Sequence, residues 1–91
     1  MLRPMSDAPL LQFPCDYPIK VMVRAGAETR AHVDAVMARH AGAAVIETAT
    51  ERPSAQGHFL GITYTIRARD AAHIAALFAD LKDIPGVLMV L

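Results

Sequence analysis

The sequence predicts an α+β fold: a four-stranded, mainly antiparallel sheet with two helices on one face. Two stretches, 17–24 and 58–68, alternate apolar and polar side chains, as strands do when one face is buried. Two others, 28–41 and 70–82, repeat apolar residues every three or four positions, which is the period of an amphipathic helix. Residues 87–91 form a continuous apolar run that is typical of a buried strand.

The first strand, residues 17–24, has two contrasting faces. From position 19 its odd-numbered residues are branched aliphatics, whereas Lys20, Met22 and Arg24 occupy the even-numbered positions. Because successive side chains of a strand point to opposite faces, we expect the aliphatic residues to lie under the helices. The face that carries Lys20, Met22 and Arg24 is then left open to solvent or to a partner.

The residues before this strand divide into two parts. Residues 1–9 contain two prolines and show no periodicity, which predicts a mobile lead-in to a single domain of residues 10–91. Leu10, Leu11 and Phe13 are large and apolar, and we expect them to dock on the domain.

The middle of the chain predicts a helix, an edge strand and a loop. The helix over 28–41 has Glu28 near its start and Gly42 just after its end, which suits the helix dipole and a left-handed cap. Residues 45–51 are rich in β-branched side chains and half polar, as is typical of an edge strand. Residues 52–57 then form the longest predicted internal loop.

The third strand, 58–68, repeats the pattern of the first. Its even-numbered positions are mostly aliphatic, whereas Phe59 and Arg67 are expected on the open face. Asp70 is a favoured N-cap residue for the second helix, 70–82.

The order β-α-β-β-α-β is the split βαβ arrangement of ferredoxin-like folds. Right-handed crossovers place the first and third strands side by side in the centre, with the spatial order 4-1-3-2. We expect these two central strands to run parallel. Both helices then cover one face of the sheet.

Composition limits the classes of function. A chain of 91 residues forms one domain, and its nine basic and nine acidic residues lack the basic excess of most nucleic-acid-binding proteins. The single cysteine, Cys15, cannot form an intramolecular disulfide, which fits a reducing compartment. Without an apolar run of signal-peptide or membrane-spanning length, we expect a cytoplasmic domain with no membrane or nucleic-acid partner.

The sequence shows no catalytic or metal-binding motif. Its four histidines include no pair at i,i+4 and have no second cysteine to join them. Cys15 lies beside Asp16, and an acidic neighbour disfavours the thiolate. We therefore predict a non-enzymatic protein without a cofactor or a metal, in which His40 is partly buried and His73 lies at the surface.

Three segments resemble the YbeD family of small bacterial proteins: FPCDYPIKVMV at 13–23, RPSAQGHFLGITYTI at 52–66 and VLMVL at 87–91. The function of that family is unknown. The resemblance implies a ferredoxin-like fold similar to the ACT-type regulatory domains, which bind amino acids beside metabolic enzymes. Two positions depart from the family's pattern, since Val23 stands where a glycine is usual and Gly61 where a serine is common.

Pattern and resemblance together predict a regulatory or adaptor domain that binds a protein partner or a small metabolite in an ACT-like manner. The alternative is an RNA-binding module using the open face, although one aromatic is fewer than the two or three that stack bases in such domains. Both sheet edges are exposed, so a homodimer through an edge or the open face is also expected.

The candidate binding residues lie on the open face or in the 52–57 loop. In the loop, Arg52 and Ser54 could donate hydrogen bonds to an anion and Gly57 could allow close approach of its backbone. The other interpretation of this loop is an ordinary hairpin connection. The full set is Lys20, Met22, Arg24, Arg52, Ser54, Gly57, Phe59 and Arg67.

Overall fold

The structure, a computed structural model, describes residues 12–91. Its elements are β1 (Cys15–Arg24), α1 (Ala27–Ala41), α2 (Ala44–Glu47), β2 (Thr50–Pro53), β3 (Phe59–Ala68), α3 (Ala71–Lys82) and β4 (Val87–Val90). The strands form one sheet in the order β2-β3-β1-β4, and the helices pack on one face of it. The predicted strand order and ferredoxin-like topology are confirmed.

The direction of the central strands differs from the prediction. β1 and β3 run antiparallel over ten residue pairs, from Cys15 opposite Ala68 to Arg24 opposite Phe59. The crossover through α1 returns β2 parallel to β1, and the hairpin between β2 and β3 then reverses the chain, so β3 must oppose β1. The pairs β1–β4 and β2–β3 are antiparallel as well.

The core is formed by alternate residues of the two central strands and by one stripe of each long helix. Burying each large aliphatic side chain contributes about 1.5–3 kcal/mol, so this alternation fixes which face of the sheet meets the helices. Phe13 is half-buried against the core, as expected, whereas Leu10, Leu11 and the lead-in 1–9 lie outside the described residues. Fully buried side chains include Ile19, Val21, Val23, Val33, Met37, Ile62, Tyr64, Ile66, Leu77 and Leu81.

The predicted strand over 45–51 is wrong in its first half. Val45 and Ile46 belong to α2, a single helical turn directly after α1. From this turn Val45 is buried in the core and Ile46 packs against it. Burial in the tertiary structure therefore outweighs the strand preference of these β-branched residues, a preference that depends strongly on context.

The edge strand lies further along the chain than predicted. All four residues of β2, Thr50–Pro53, are exposed. Pro53 cannot donate a backbone hydrogen bond, and prolines are tolerated on edge strands. Since Arg52 and Pro53 belong to β2, the predicted 52–57 loop shrinks to the turn that follows them.

Asp70 caps α3 as predicted, but the surface position predicted for His73 is wrong. The Asp70 carboxylate accepts the His73 backbone N–H at 2.8 Å, and the His73 side chain is buried. His73 Nδ1 accepts the backbone N–H of Arg69 at 3.1 Å, and Nε2 donates to the backbone carbonyl of His40 at 2.7 Å. These two bonds require the neutral ring protonated on Nε2, and they tie the start of α3 to the end of α1.

A second polar contact joins the same two helices. The ring of His40 is partly buried, as expected, and its Nε2 lies 2.6 Å from Oδ2 of Asp80. The guanidinium of Arg39 reaches the same oxygen at 3.3 Å. The His40 hydrogen bond, followed by that of Arg39, lowers the pKa of the Asp80 carboxyl below its ordinary value of 3.8.

Replacing Asp80 with asparagine is expected to destabilise the protein only where the carboxyl is ionised. Because its pKa is lower in the folded state, the carboxylate stabilises the fold above pH 3.8, and this contribution is lost as the pH falls through the lowered value. Urea midpoints of the wild type and Asp80→Asn should therefore converge in acid. In a His40→Ala background the difference at neutral pH should shrink, and a difference unchanged by either treatment would contradict the pairing.

Candidate functional site

The sheet face opposite the helices is uncovered in the described part of the chain, and we call it the open face. Because the odd-numbered residues of β1 from Ile19 to Val23 are buried, its even-numbered residues point away from the helices. The register then assigns the neighbouring strands. Six of the eight candidate residues lie on this face: Lys20, Met22, Arg24, Arg52, Phe59 and Arg67.

The other two candidates, Ser54 and Gly57, form the turn between β2 and β3. The Ser54 hydroxyl accepts the backbone N–H of Phe59 at 3.2 Å, and the Ser54 carbonyl accepts the N–H of Gly57 at 3.0 Å. Gly57 has a positive φ of 76°, which favours glycine. These contacts give both residues a role in closing the hairpin, and their role in ligand binding stays a prediction.

Two cross-strand rows form the centre of the open face. The first row contains Lys20, Thr63 and Thr50, and the second contains Met22, Gly61 and Arg52. Since Gly61 has no side chain, the second row has a gap at its middle position. Arg52 of β2 lies directly opposite this gap, and Lys20 of β1 lies diagonally across from it on the neighbouring row.

This gap is the floor of an open depression of about 400 Å³. A second depression of about 180 Å³ adjoins it and shares Lys20, Arg52 and Gly61 with it. Volumes of a few hundred Å³ are typical of small-molecule sites. The lining of the larger depression is Lys20, Thr50, Glu51, Arg52, Gly61 and Thr63.

The Lys20 side chain extends over the glycine. A Cβ atom placed on Gly61 would lie 3.4 Å from Cε of Lys20, so the adjoining ammonium group lies at the depression. Glu51 contributes to the lining, but its carboxylate pairs with Arg30 of α1 on the helix side of the sheet. Within residues 12–91, no carboxylate forms an ion pair with Lys20 or Arg52.

The open face is positively charged although the whole chain has a formal net charge of zero. Four cations point to it, namely Lys20, Arg24, Arg52 and Arg67. The carboxylate that accompanies them on the central strands is Asp16, which pairs with Arg67 at 3.3 Å. The net charge of the chain therefore gives no sign of this uneven distribution of charge. A face with an excess of one sign of charge attracts a partner of the opposite sign.

The apolar part of this face includes residues that sequence reasoning missed. Met89 of β4 lies opposite Met22, and the backbone of Leu91 bonds to that of Lys20 in both directions. Their side chains are 52% and 62% exposed, and Phe59 is 38% exposed. The run VLMVL has no alternation, so only its register against β1 shows which of its side chains face outward.

A polar network on the helix side supports the edge strand. The Tyr64 hydroxyl donates to Oδ1 of Asp34 at 2.6 Å, and Nε of Arg30 donates to the same carboxylate at 3.0 Å. Arg30 also pairs with Glu51 of β2. Burial, followed by the hydrogen bond to Asp34, raises the pKa of Tyr64 well above its ordinary value of 10, so the hydroxyl keeps its proton. The network joins α1 to the strand that carries Arg52.

Two further features bear on function. Within residues 12–91, no group of three or more histidine, cysteine, aspartate or glutamate side chains is arranged to hold a metal ion. In the same range, no helix combines the length and the apolar character needed to cross a membrane. That the protein is non-enzymatic and needs no cofactor stays a prediction.

Comparison with known proteins identifies the family of this chain. The model of DUF493, a family of proteins of unknown function, matches residues 8–91. The chain belongs to the DUF493 family. A UPF0250 protein of Hahella chejuensis is 35% identical over the full length of both chains, and one of Pseudomonas aeruginosa is 37% identical over 97% of this chain and 96% of the relative. The resemblance to YbeD-like bacterial proteins is confirmed.

Two solved structures share the fold of this DUF493 member. Protein HP0495 from H. pylori matches with a TM-score of 0.73 and 11% identity, over 100% of this chain and 96% of that one. The C-terminal domain of the MgtC protein from Mycobacterium tuberculosis matches with a TM-score of 0.58 and 18% identity, over 90% and 89% of the two chains. At these identities the likeness shows the fold alone.

Proposed function

We propose that this DUF493 protein is an adaptor domain whose open face docks an acidic protein partner. The observation that carries the proposal is the concentration of four cations, and of apolar side chains that the described residues leave uncovered, on one face of a chain whose formal net charge is zero. Complementary charge steers a partner toward such a face and fixes its orientation. The helix side, where the carboxylates are in excess, would repel the same partner.

The composition of the open face resembles that of a protein interface. Methionine, phenylalanine and arginine are enriched in interfaces, and a typical interface has an apolar centre with a polar rim. Met22 and Met89 lie side by side near the middle of the sheet, with Arg24 and Phe59 paired on the next row. A partner that covers this area would bury apolar surface and bring its carboxylates to the cations.

The same observations favour a protein over RNA. Domains of this topology that bind RNA on the sheet stack two or three bases on aromatic side chains. Phe59 is the aromatic residue that the central strands present on the open face; its partner across the sheet is Arg24, and the next row carries Met22 and Met89. Flexible apolar side chains suit an apolar protein surface better than they suit the flat face of a base.

The test is capture of the partner by the wild type and by a Met22→Ala, Arg24→Ala, Phe59→Ala triple variant. We expect the wild type to retain an acidic protein from a bacterial lysate. With that protein purified, the triple variant should bind at least about 30-fold more weakly, because removing central apolar and arginine side chains typically costs about 2 kcal/mol or more. Affinity for the wild type should also fall as salt is raised.

The matched control carries His32→Ala and Lys82→Ala, which change exposed side chains on α1 and α3. It should bind the partner as the wild type does, and thermal melting should show that both variants are folded. Equal binding by the triple variant would overturn the proposal. Retention that nuclease treatment abolishes would also overturn it, in favour of RNA binding on the same face.

A further inference from the structure

Gly61 is not required by the backbone at its position. It lies inside β3 and is absent from the positive-φ glycines of the described chain, which are Gly26, Gly42, Gly57 and Gly86. The three nearest atoms to an added Cβ would lie at 3.4, 3.6 and 3.8 Å, so an alanine fits at this point. Glycine in the interior of a strand weakens it and often marks a place where another group approaches closely.

The space above Gly61 is bordered mostly by hydrogen-bond donors, and the Glu51 carboxylate that also lines it is paired with Arg30. Lys20 offers an ammonium and Arg52 a guanidinium fork, and the hydroxyls of Thr50 and Thr63 line the same depression. Charge-assisted hydrogen bonds from such groups to a carboxylate or phosphate are about twice as strong as neutral ones. Because two cations converge on one gap, a ligand with two negative charges complements it best.

We infer that the depression at Gly61 binds a small dianionic ligand, a phosphate monoester or a dicarboxylate, between Lys20 and Arg52. The anionic group lies above Gly61, which has no side chain of its own, and beside the Lys20 side chain that extends over this position. The adjoining smaller depression, lined in part by Met22 and Pro53, receives the uncharged remainder of the ligand. This site goes beyond the docking proposal: it lies on the same open face, but it requires no protein partner.

The experiment is an NMR titration of the purified protein at low ionic strength. Glycerol 1-phosphate and succinate are the two probes, and sodium chloride at matched ionic strength is the control. Saturable shifts of the amides of Gly61 and Thr63 with either probe, and none with chloride, are expected. The probe that saturates at the lower concentration distinguishes a phosphate ligand from a dicarboxylate.

Variants connect the shifts to the site. The Lys20→Gln, Arg52→Gln pair should weaken binding by about tenfold, which corresponds to two partly exposed charge interactions. Gly61→Ala should weaken it by about threefold while melting no lower than the wild type, since its Cβ fills the floor of the site without a clash. Lys82→Gln, which changes an exposed cation of α3 on the helix side, should leave the affinity unchanged.

Three results would overturn the inference. The first is amide shifts equal to those with chloride, and the second is amide shifts as large at Arg24 and Arg67 as at Gly61 and Thr63. The third is a binding affinity that none of the site variants changes. Any of these leaves the docking proposal intact, because partner capture needs no added anion. Conversely, a saturable anion site with no captured partner would overturn the docking proposal alone.

Discussion

Replacing Gly86 with alanine is expected to lower the free energy of unfolding by about 2–4 kcal/mol. Gly86 has a φ of 94°, where an L-residue is strained, and an added Cβ would lie 2.7 Å from Oγ1 and 3.1 Å from Cγ2 of Thr29. The turn between α3 and β4 is packed against α1 at this point, so the Thr29 side chain, the turn or the helix must move. Thermal melting should show a decrease of about 10–20 °C.

Gly57→Ala is the matched control for this effect. Gly57 also has a positive φ, of 76°, but no atom lies within 4 Å of its added Cβ, so only the backbone strain remains. A Thr29→Ala substitution in the Gly86→Ala background should recover part of the lost stability, because it removes both contacting atoms. If Gly86→Ala is no more destabilising than Gly57→Ala, the turn does not pack closely on Thr29 of α1.

Replacing His73 with alanine is expected to cost about 2–4 kcal/mol of unfolding free energy. The substitution removes a buried ring and leaves the carbonyl of His40 and the N–H of Arg69 without their partners. Urea unfolding measures the loss, and the amide of Arg69 should exchange its hydrogen faster because its acceptor is gone.

Two further variants separate the causes of that loss. His73→Phe keeps an aromatic ring of somewhat larger volume but removes both hydrogen bonds, so it should retain part of the defect. His32→Ala changes an exposed histidine of α1 and should alter stability by no more than about 0.5 kcal/mol. If His73→Ala were as mild as His32→Ala, the bond between α3 and the end of α1 would contribute nothing.

The sequence predicted those parts of the fold in which one local pattern agrees with tertiary burial. Alternation in β1 and β3 and the cap at Asp70 each depend on neighbouring residues alone. The error at Val45 and Ile46 arose because their burial depends on how α1 and α2 meet the sheet. His73 was recoverable, since it precedes the buried Leu77 and Leu81 of α3 at spacings of four, but its polar ring hid it from an apolar pattern.

The candidate site was predicted as one face of the sheet and a neighbouring loop. Alternation along β1 and β3 assigned Lys20, Met22 and Phe59 to it without knowledge of any partner strand. The depression at Gly61 and the position of Met89 depend on the register of three different pairings, and register is set by residues far apart in the chain. One-dimensional patterns contain no such information.

The central position of β1 constrains how this protein is made in the cell. β1 emerges from the ribosome before all the other strands described here, yet Val21 pairs with Val90 and Val23 with Leu60. At about 5–20 residues synthesised per second, β1 waits roughly several seconds before β4 exists. Its apolar face is exposed to chaperones and proteases during that interval. β1, which carries Lys20 and Arg24, is thus the first of the described strands to be made and is completely paired only when the last of them has formed.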